Sequence, residues 1–475
     1  MVQSSEIFLI TPLIVVGAGI LISVVIEMYS SKSEIILPWL SIIVFMIGGI
    51  YSLYNIGEVV KSVFNDMVAV GGNVHLFYFI FNVGAALVCL LSIDYIKKYG
   101  TYYSEYYILI QSSVLGMMLM AGAKDLLVIF LGLEIMSVSF YVLAGLNRKR
   151  LSANEASLKY FLLGAFATGF IVYGIALIYG SAQTTSLDLI TANFNGLISN
   201  LLFVAGVLLF LIGFSFKIAA FPFHMWVPDV YQGSPTTIAG LFSTGGKAAA
   251  FSSILITMIA IFTNNTQNIF TPYLAVIAVL SMLFGSIVAI AQEDIKRMLA
   301  YSSISHAGYL SIGLAAGNQD AVAGIIFYLA AYTFMNLGAF GIIALIEGEE
   351  ETNLTISSYA GLASRKPFLA ALLSLFMFSL AGIPPFAGFF GKYYIFIAAV
   401  QSGLTWLAVI GVISSVISVY FYLRIVVLMY FKEPALEPKY NSSITGLFAV
   451  ILASLLVILL GIFPGSVLQL ITSFI

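Results

Sequence analysis

Charge is what this sequence has least of. Only 8% of its 475 residues are Asp, Glu, Lys or Arg, against about 25% in an ordinary soluble domain. No stretch is polar enough to form one. Cysteine occurs once, at Cys89, which excludes an internal disulfide and a cysteine-bound metal cluster. The histidines, His75, His224 and His306, are scattered without metal-ligand spacing. No glycine-rich nucleotide loop, haem ligand pair or nucleophile motif is present. The first residues lack the basic run of a signal peptide, so the first apolar stretch is expected to remain as a helix.

What is present is hydrophobic length. Apolar residues make up 61% of the chain, and its mean hydropathy is +1.07. A helical span needs ~20 mostly apolar residues. Fourteen segments qualify, at about 7–27, 36–54, 75–95, 105–122, 126–146, 155–180, 200–223, 236–262, 272–292, 298–316, 321–346, 367–400, 404–430 and 444–472. They predict an all-α polytopic membrane protein forming a single membrane domain. The twelfth segment is too long for one straight span, and its Gly382-Ile383-Pro384-Pro385 must interrupt the helical hydrogen bonds. The seventh is broken in the same way near Pro222, ahead of Phe223-His224-Met225-Trp226-Val227-Pro228.

Twelve basic residues fall in the loops after odd-numbered spans and two, Lys61 and Lys124, in the others. That bias predicts a multi-pass protein with the first set of loops in the cytoplasm and both termini outside. The two broken spans are five apart, an odd number, so equivalent segments would run in opposite directions. This is the arithmetic of two inverted five-helix repeats, a recurring transporter design. The expected organisation is 1–100 for three leading helices, 101–265 and 270–432 for the repeats, and 440–475 for the last helix. Proline kinks are common in membrane helices, which is the plainer account of the breaks.

The remaining five basic residues lie inside the spans: Lys159, Lys217, Lys247, Lys392 and Arg424, with Glu134 and His306 in similar settings. An ionisable group at a helix centre costs ~2.5–3.5 kcal/mol on insertion scales, so such groups mark function by default. Lysines suit a proton path because burial and nearby carboxylates move their proton affinity in opposite directions. Glu134 and Lys217 fall at similar depth and are expected to pair, with the carbonyls freed at the Pro222 break solvating the ammonium. A static lock between two helices is the alternative. Lys247 follows Thr244-Gly245-Gly246 near mid-depth. His306 lies on a helix rich in hydroxyls that can carry a hydrogen-bonded chain; a satisfied core histidine is the plain reading. Lys392 lies past the second break and is expected to be the exit. Lys159, His224 and Asp229 are candidates for intake or relay, though Lys159 can snorkel and Asp229 can merely face water. Arg424 does not release its proton and is expected to position partners or hold a lipid head group. The acidic run Glu347-Gly348-Glu349-Glu350-Glu351 reads as a solvated loop.

Two long stretches carry a resemblance. Phe216 to Pro235, including the proline break and Asp229-Val230-Tyr231-Gln232-Gly233, and Glu293 to His306, including Asp294-Ile295-Lys296-Arg297, resemble signatures of the antiporter-like subunits of respiratory complex I. Subunits of multisubunit cation/proton antiporters share them. The Asp-Val-Tyr-Gln-Gly form, and Gly382-Ile383-Pro384-Pro385 followed by Lys392, are similar to the subunit-N branch. The resemblance implies that Glu134 modulates Lys217, that Lys247 joins a central polar axis, and that Lys392 leads to the outside. It also implies proton translocation coupled to electron transfer from NADH to quinone. The expected partners are the other membrane-arm subunits, including sister antiporter-like chains, and membrane lipid, with no nucleic acid. No cofactor is expected in this chain; FMN and iron–sulfur clusters would belong to partner subunits. A sodium/proton antiporter subunit, a related membrane-bound hydrogenase subunit and a passive scaffold are the other readings.

Overall fold

Serine, threonine and small residues let apolar helices close on one another here, and glycine sets the tightest contacts. The computed structural model describes residues 4–99, 105–262, 269–348, 352–433 and 443–474. The expected domain limits at 101, 265 and 440, and Glu349, Glu350 and Glu351 of the acidic run, fall outside them. The helices are α1 (Ser4–Tyr29), α2 (Ser33–Tyr54), α3 (Gly72–Tyr95), α4 (Glu105–Gly122), α5 (Leu126–Ala144), α6 (Leu151–Ala182), α7 (Leu201–Lys217), α8 (236–262), α9 (Thr271–Ile290), α10 (Ile295–Ala316), α11 (Gln319–Ile346), α12a (Pro367–Ala381), α12b (Ala387–Gln401), α13 (Thr405–Phe431) and α14 (Ile444–Ile462). Several start on a capping side chain, as Asp125, Asn200, Asp294, Asn318 and Ser443 accept from backbone N–H groups of the first turn.

All fourteen expected segments are helical, and ten helices among the described residues are long and apolar enough to cross a membrane on their own. The chain is an all-α, multi-pass membrane protein with discontinuous seventh and twelfth helices and two five-helix units, α4–α8 and α9–α13. One boundary moves. The fourteenth segment stops at Ile462, because Phe463-Pro464 ends it, and a separate short helix covers Pro464–Thr472.

The first two helices of each unit meet in the same way. A Cβ on Gly116 of α4 would lie 2.5 Å from the Gly132 carbonyl of α5, and one on Gly132 would lie 2.7 Å from the Gly116 carbonyl. In α9 and α10, a Cβ on Gly285 would lie 2.6 Å from the Ser305 nitrogen, and one on Gly308 would lie 2.7 Å from the Met282 nitrogen. Backbones this close leave no room for a side chain. The centre is α11, 100% buried within the chain over its span, with α8 at 89%; α6 and α13, at 33%, are peripheral. A hairpin of β1 (Lys61–Val63) and β2 (Val68–Val70) closes one face. Lys124 joins that face, bonding Ser62 at 2.8 Å and Asp188 at 2.6 Å.

Candidate functional site

The helix breaks decide where the lysines end up. α7 stops at Lys217 itself, and Ala219 turns into the left-handed region with φ 65°. The ammonium of Lys217, 8% exposed, donates to Ser137 Oγ at 3.1 Å and to Tyr141 OH at 3.2 Å, both on α5. Glu134 lies one turn away on α5, half-buried, and accepts from Thr168 Oγ1 at 3.0 Å. The expected Glu134–Lys217 contact is therefore absent in this state: each group is held by hydroxyls on a different neighbour. Nor do freed carbonyls hold Lys217. The Phe216 carbonyl is taken by the Trp226 indole N–H at 3.1 Å.

At the second break the freed carbonyls do hold the lysine. Gly382 caps α12a at φ +85°, and Lys392 Nζ donates to the Leu380 and Ala381 carbonyls at 3.2 and 3.1 Å and to Ser415 Oγ at 2.9 Å. It also stands 4.7 Å over the Tyr309 ring.

Lys247, 2% exposed, follows a π-helical turn over Phe242–Gly246. Such turns concentrate at functional positions. Its ammonium donates to the Ser303 carbonyl, and to Ser303 Oγ at 2.5 Å. His306, three residues along α10, is fully enclosed, with Nδ1 2.5 Å from Tyr328 OH and Nε2 3.0 Å from Tyr422 OH. Tyr422 OH also bonds Ser302. A second run of hydroxyls goes from Ser305 to Ser286 at 2.8 Å, on to Ser414 at 2.9 Å, and then to Tyr309 OH at 3.2 Å, beside Lys392. Lys247, His306 and Lys392 thus share one hydroxyl-lined interior built on α10. Between the Lys217 and Lys247 groups the connection is aromatic. Tyr141 packs on Tyr160 at 4.9 Å, and Tyr160 on Phe242 at 5.6 Å.

Lys159 and Asp229 form a cluster at one face. Lys159 Nζ bonds Asp229 Oδ2 at 2.7 Å and Glu155 Oε1 at 2.6 Å, and Arg297 Nη1 bonds Asp229 Oδ1 at 2.7 Å. Asp229 lies on the short helix Val227–Gly233, outside the spans. Partial burial raises its carboxyl, but the Lys159 and Arg297 hydrogen bonds outweigh that and hold it below the usual carboxylate range. His224 stacks on Phe221 and lies tilted against Phe284, with Nδ1 unpartnered. Arg424 donates to the Ile290 and Gln292 carbonyls at 3.2 and 3.3 Å, so it caps the end of α9 rather than reaching out to lipid.

Two expectations are corrected. Lys296, counted with the loops, has 0% exposure and bonds the Ser234 carbonyl at 2.7 Å. Glu347, placed in a solvated loop, is 1% exposed and accepts from Tyr95 OH and from Thr236 Oγ1 at 2.7 Å. Hydropathy alone puts both at span ends. The seven-residue spacing from Lys296 to Ser303, which stacks them on one helix face, was the available signal for the first.

Residues 123–418 match the NADH:quinone oxidoreductase/Mrp antiporter transmembrane family, and the chain belongs to that family. It is 46% identical over 442 residues to NADH-quinone oxidoreductase subunit N of Trichlorobacter lovleyi, covering 92% of this chain and 90% of that one. It is similar to a chain of respiratory complex I from Thermus thermophilus with bound aureothin, at 30% identity and TM-score 0.84, covering 96% and 98%. A chain of the Mrp complex from Dietzia sp. DQ12-45-1b shares the fold, with TM-score 0.86 at 19% identity, covering 97% and 96%.

Proposed function

We propose that this chain is the proton-translocating, antiporter-like membrane subunit of an NADH:quinone oxidoreductase, of the subunit-N kind for which its relatives are named. The observation that carries the proposal is the buried series Lys247, His306 and Lys392, each bonded to serine or tyrosine hydroxyls of the second five-helix unit. A purely structural core has no use for three ionisable groups at such a cost. The 46% identity to a subunit-N relative supports this reading over a sodium/proton antiporter subunit.

In this reading the chain adds no redox group. NADH, flavin and iron–sulfur chemistry belong to partner subunits, and the membrane neighbours include sister antiporter-like chains and lipid. The protein sits in the bacterial plasma membrane with the Asp229 face in the cytoplasm and both termini outside. Moving Lys296 from the loops to the interior leaves eleven basic loop residues against two, so the bias keeps its sign. We propose 101–265 and 270–432 as the limits of the two units.

Protons reach the interior from the Asp229 side and leave past Lys392. Moving one charge against the membrane costs about 2.3 kcal/mol per 100 mV. Closing the Glu134–Lys217 gap is a step of suitable size, since a pair at ~4 Å is worth about 4 kcal/mol at an effective dielectric of 20. Hydroxyls of Ser137, Tyr141 and Thr168 hold the two charges apart until then.

Lys217→Ala tests the proposal in membrane vesicles carrying the assembled complex. NADH-driven acidification, followed with a pH-sensitive dye, should be lost while subunit content is unchanged. Full pumping in an assembled variant would remove Lys217 from the path.

A further inference from the structure

The proton path above starts near Asp229, whose carboxylate is tied up by Lys159 and Arg297. A different buried cation lies closer to Lys247. A cleft of about 660 Å³ opens on the Asp229 face, lined among others by Asp229, Gln232, Gly233, Asp294, Leu354 and Thr355. Asp294 and Thr355 pair across it as an isolated bridge, and the Ile295 N–H donates to the Leu354 carbonyl. The backbone at Asp294, two residues before Lys296, thus lines the cleft floor. The Lys296 side chain points the other way, into the protein, with no exposure at all.

Below the floor is a closed polar node. Lys296 Nζ meets the Ser234 carbonyl, and Ser234 Oγ, itself fully buried, has no partner. A buried hydroxyl without a partner marks a place where a further donor or acceptor belongs. Two residues on, Thr236 gives its hydroxyl to Glu347 at 2.7 Å and its N–H to Tyr95 OH at 2.9 Å. Glu347 is thereby the carboxylate tied into this node, through Thr236 and Tyr95. The node joins the ends of α3, α8, α10 and α11.

The node faces Lys247 along α10. Lys296 and Ser303 are seven residues apart, two helical turns or about 10.5 Å on one face. Ser303 is the residue whose carbonyl and hydroxyl hold the Lys247 ammonium. Tyr231, from the helix that lines the cleft, reaches Ser303 as well. Water would bridge the remaining gap between the Ser234 end of the node and the Ser303 hydroxyl that holds Lys247.

We propose that Lys296, with Glu347 as its counter-charge, is a proton-carrying group that loads Lys247 directly from the surface cleft. Lys296 gives an N–H proton to the Ser303–Tyr231 side, a neutral Lys247 gains one, and Lys296 regains a proton from cleft water. Glu347, held by Tyr95 and Thr236, keeps the site attractive to the cation. This intake bypasses the aromatic barrier at Tyr160 and Phe242, so the second half of the chain need not receive its proton from Lys217. The inference rests on the transport reading above.

Lys296→Met, Lys296→Arg and Lys247→Met are compared in vesicles with the intact complex, scoring NADH-driven acidification against subunit content. Arginine keeps the charge and the bond to Ser234 but does not release its proton. The expected result is that both position-296 variants lose pumping as far as Lys247→Met does. Restoration by Lys296→Arg, or wild-type pumping in Lys296→Met, would overturn the carrier role. Should neither position-296 variant assemble, Ser234→Ala removes only the orphan hydroxyl. It should slow pumping and raise its solvent deuterium isotope effect; unchanged values would overturn the proposal. Normal pumping in Lys247→Met would instead bring down the transport reading itself.

Discussion

Lys217 and Glu134 do not touch: the ammonium donates to Ser137, one turn along α5 from the carboxylate, and the carboxylate accepts from Thr168 on α6. The pair is therefore drawn apart by two hydroxyls that belong to different helices. A small shift of α6 against α5 exchanges one partner for another. Each hydrogen bond that holds the charges apart is worth only about 1.5–3 kcal/mol.

Removing the Thr168 hydroxyl should favour the closed pair. Thr168→Val keeps the shape of the side chain and leaves Glu134 to seek Lys217. The charged form of Lys217 is then held too firmly, so NADH-driven pumping should slow while assembly and subunit content stay normal. The effect should be about tenfold if one such bond is lost. Wild-type pumping in Thr168→Val would show that the open pair has no part in turnover.

Gly382 should not accept a side chain. Its φ of +85° is in the left-handed region, and a Cβ there would stand 3.1 Å from Lys392 Cδ and 3.2 Å from Nζ. The backbone term alone is about 1–2 kcal/mol for an L-residue. Gly382→Ala should push Lys392 off the Leu380 and Ala381 carbonyls, lowering pumping more than assembly. Equal loss of assembled complex and of pumping would mean that the glycine serves folding only.

Lys392 should be reached by water from the face opposite Asp229. It lies beyond the break in α12b, held by the end of α12a and by Ser415. In a Lys392→Cys variant with Cys89→Ala, a small membrane-impermeant thiol reagent should label the protein from the external side of intact cells. Labelling only in inside-out vesicles would reverse both the direction of the path and the orientation drawn from the loop charges.

The broken helices were legible in the residues themselves. Proline removes a backbone donor, and helices break at Pro222 and at Gly382-Ile383-Pro384-Pro385, where it falls beside other helix-weakening residues, while α1 and α2 run on through Pro12 and Pro38. The fourteen apolar lengths, the isolated lysines and the serine-rich face before His306 were legible for the same reason. Each is a property of local sequence with a fixed physical consequence in a bilayer.

What only the tertiary structure decided is which groups meet. Ser137, Tyr141 and Thr168 are ordinary residues of apolar helices, and nothing in their spacing says that they separate Lys217 from Glu134. Tyr328 and Tyr422 come from α11 and α13 to enclose His306. Lys296 and Glu347 read as loop charges because hydropathy sees only the end of a span. They are buried because four helix ends close over them, and that closure is set by packing between segments distant in sequence. Composition therefore fixed the membrane and the breaks, and inter-helix packing chose the partners of every charge inside it.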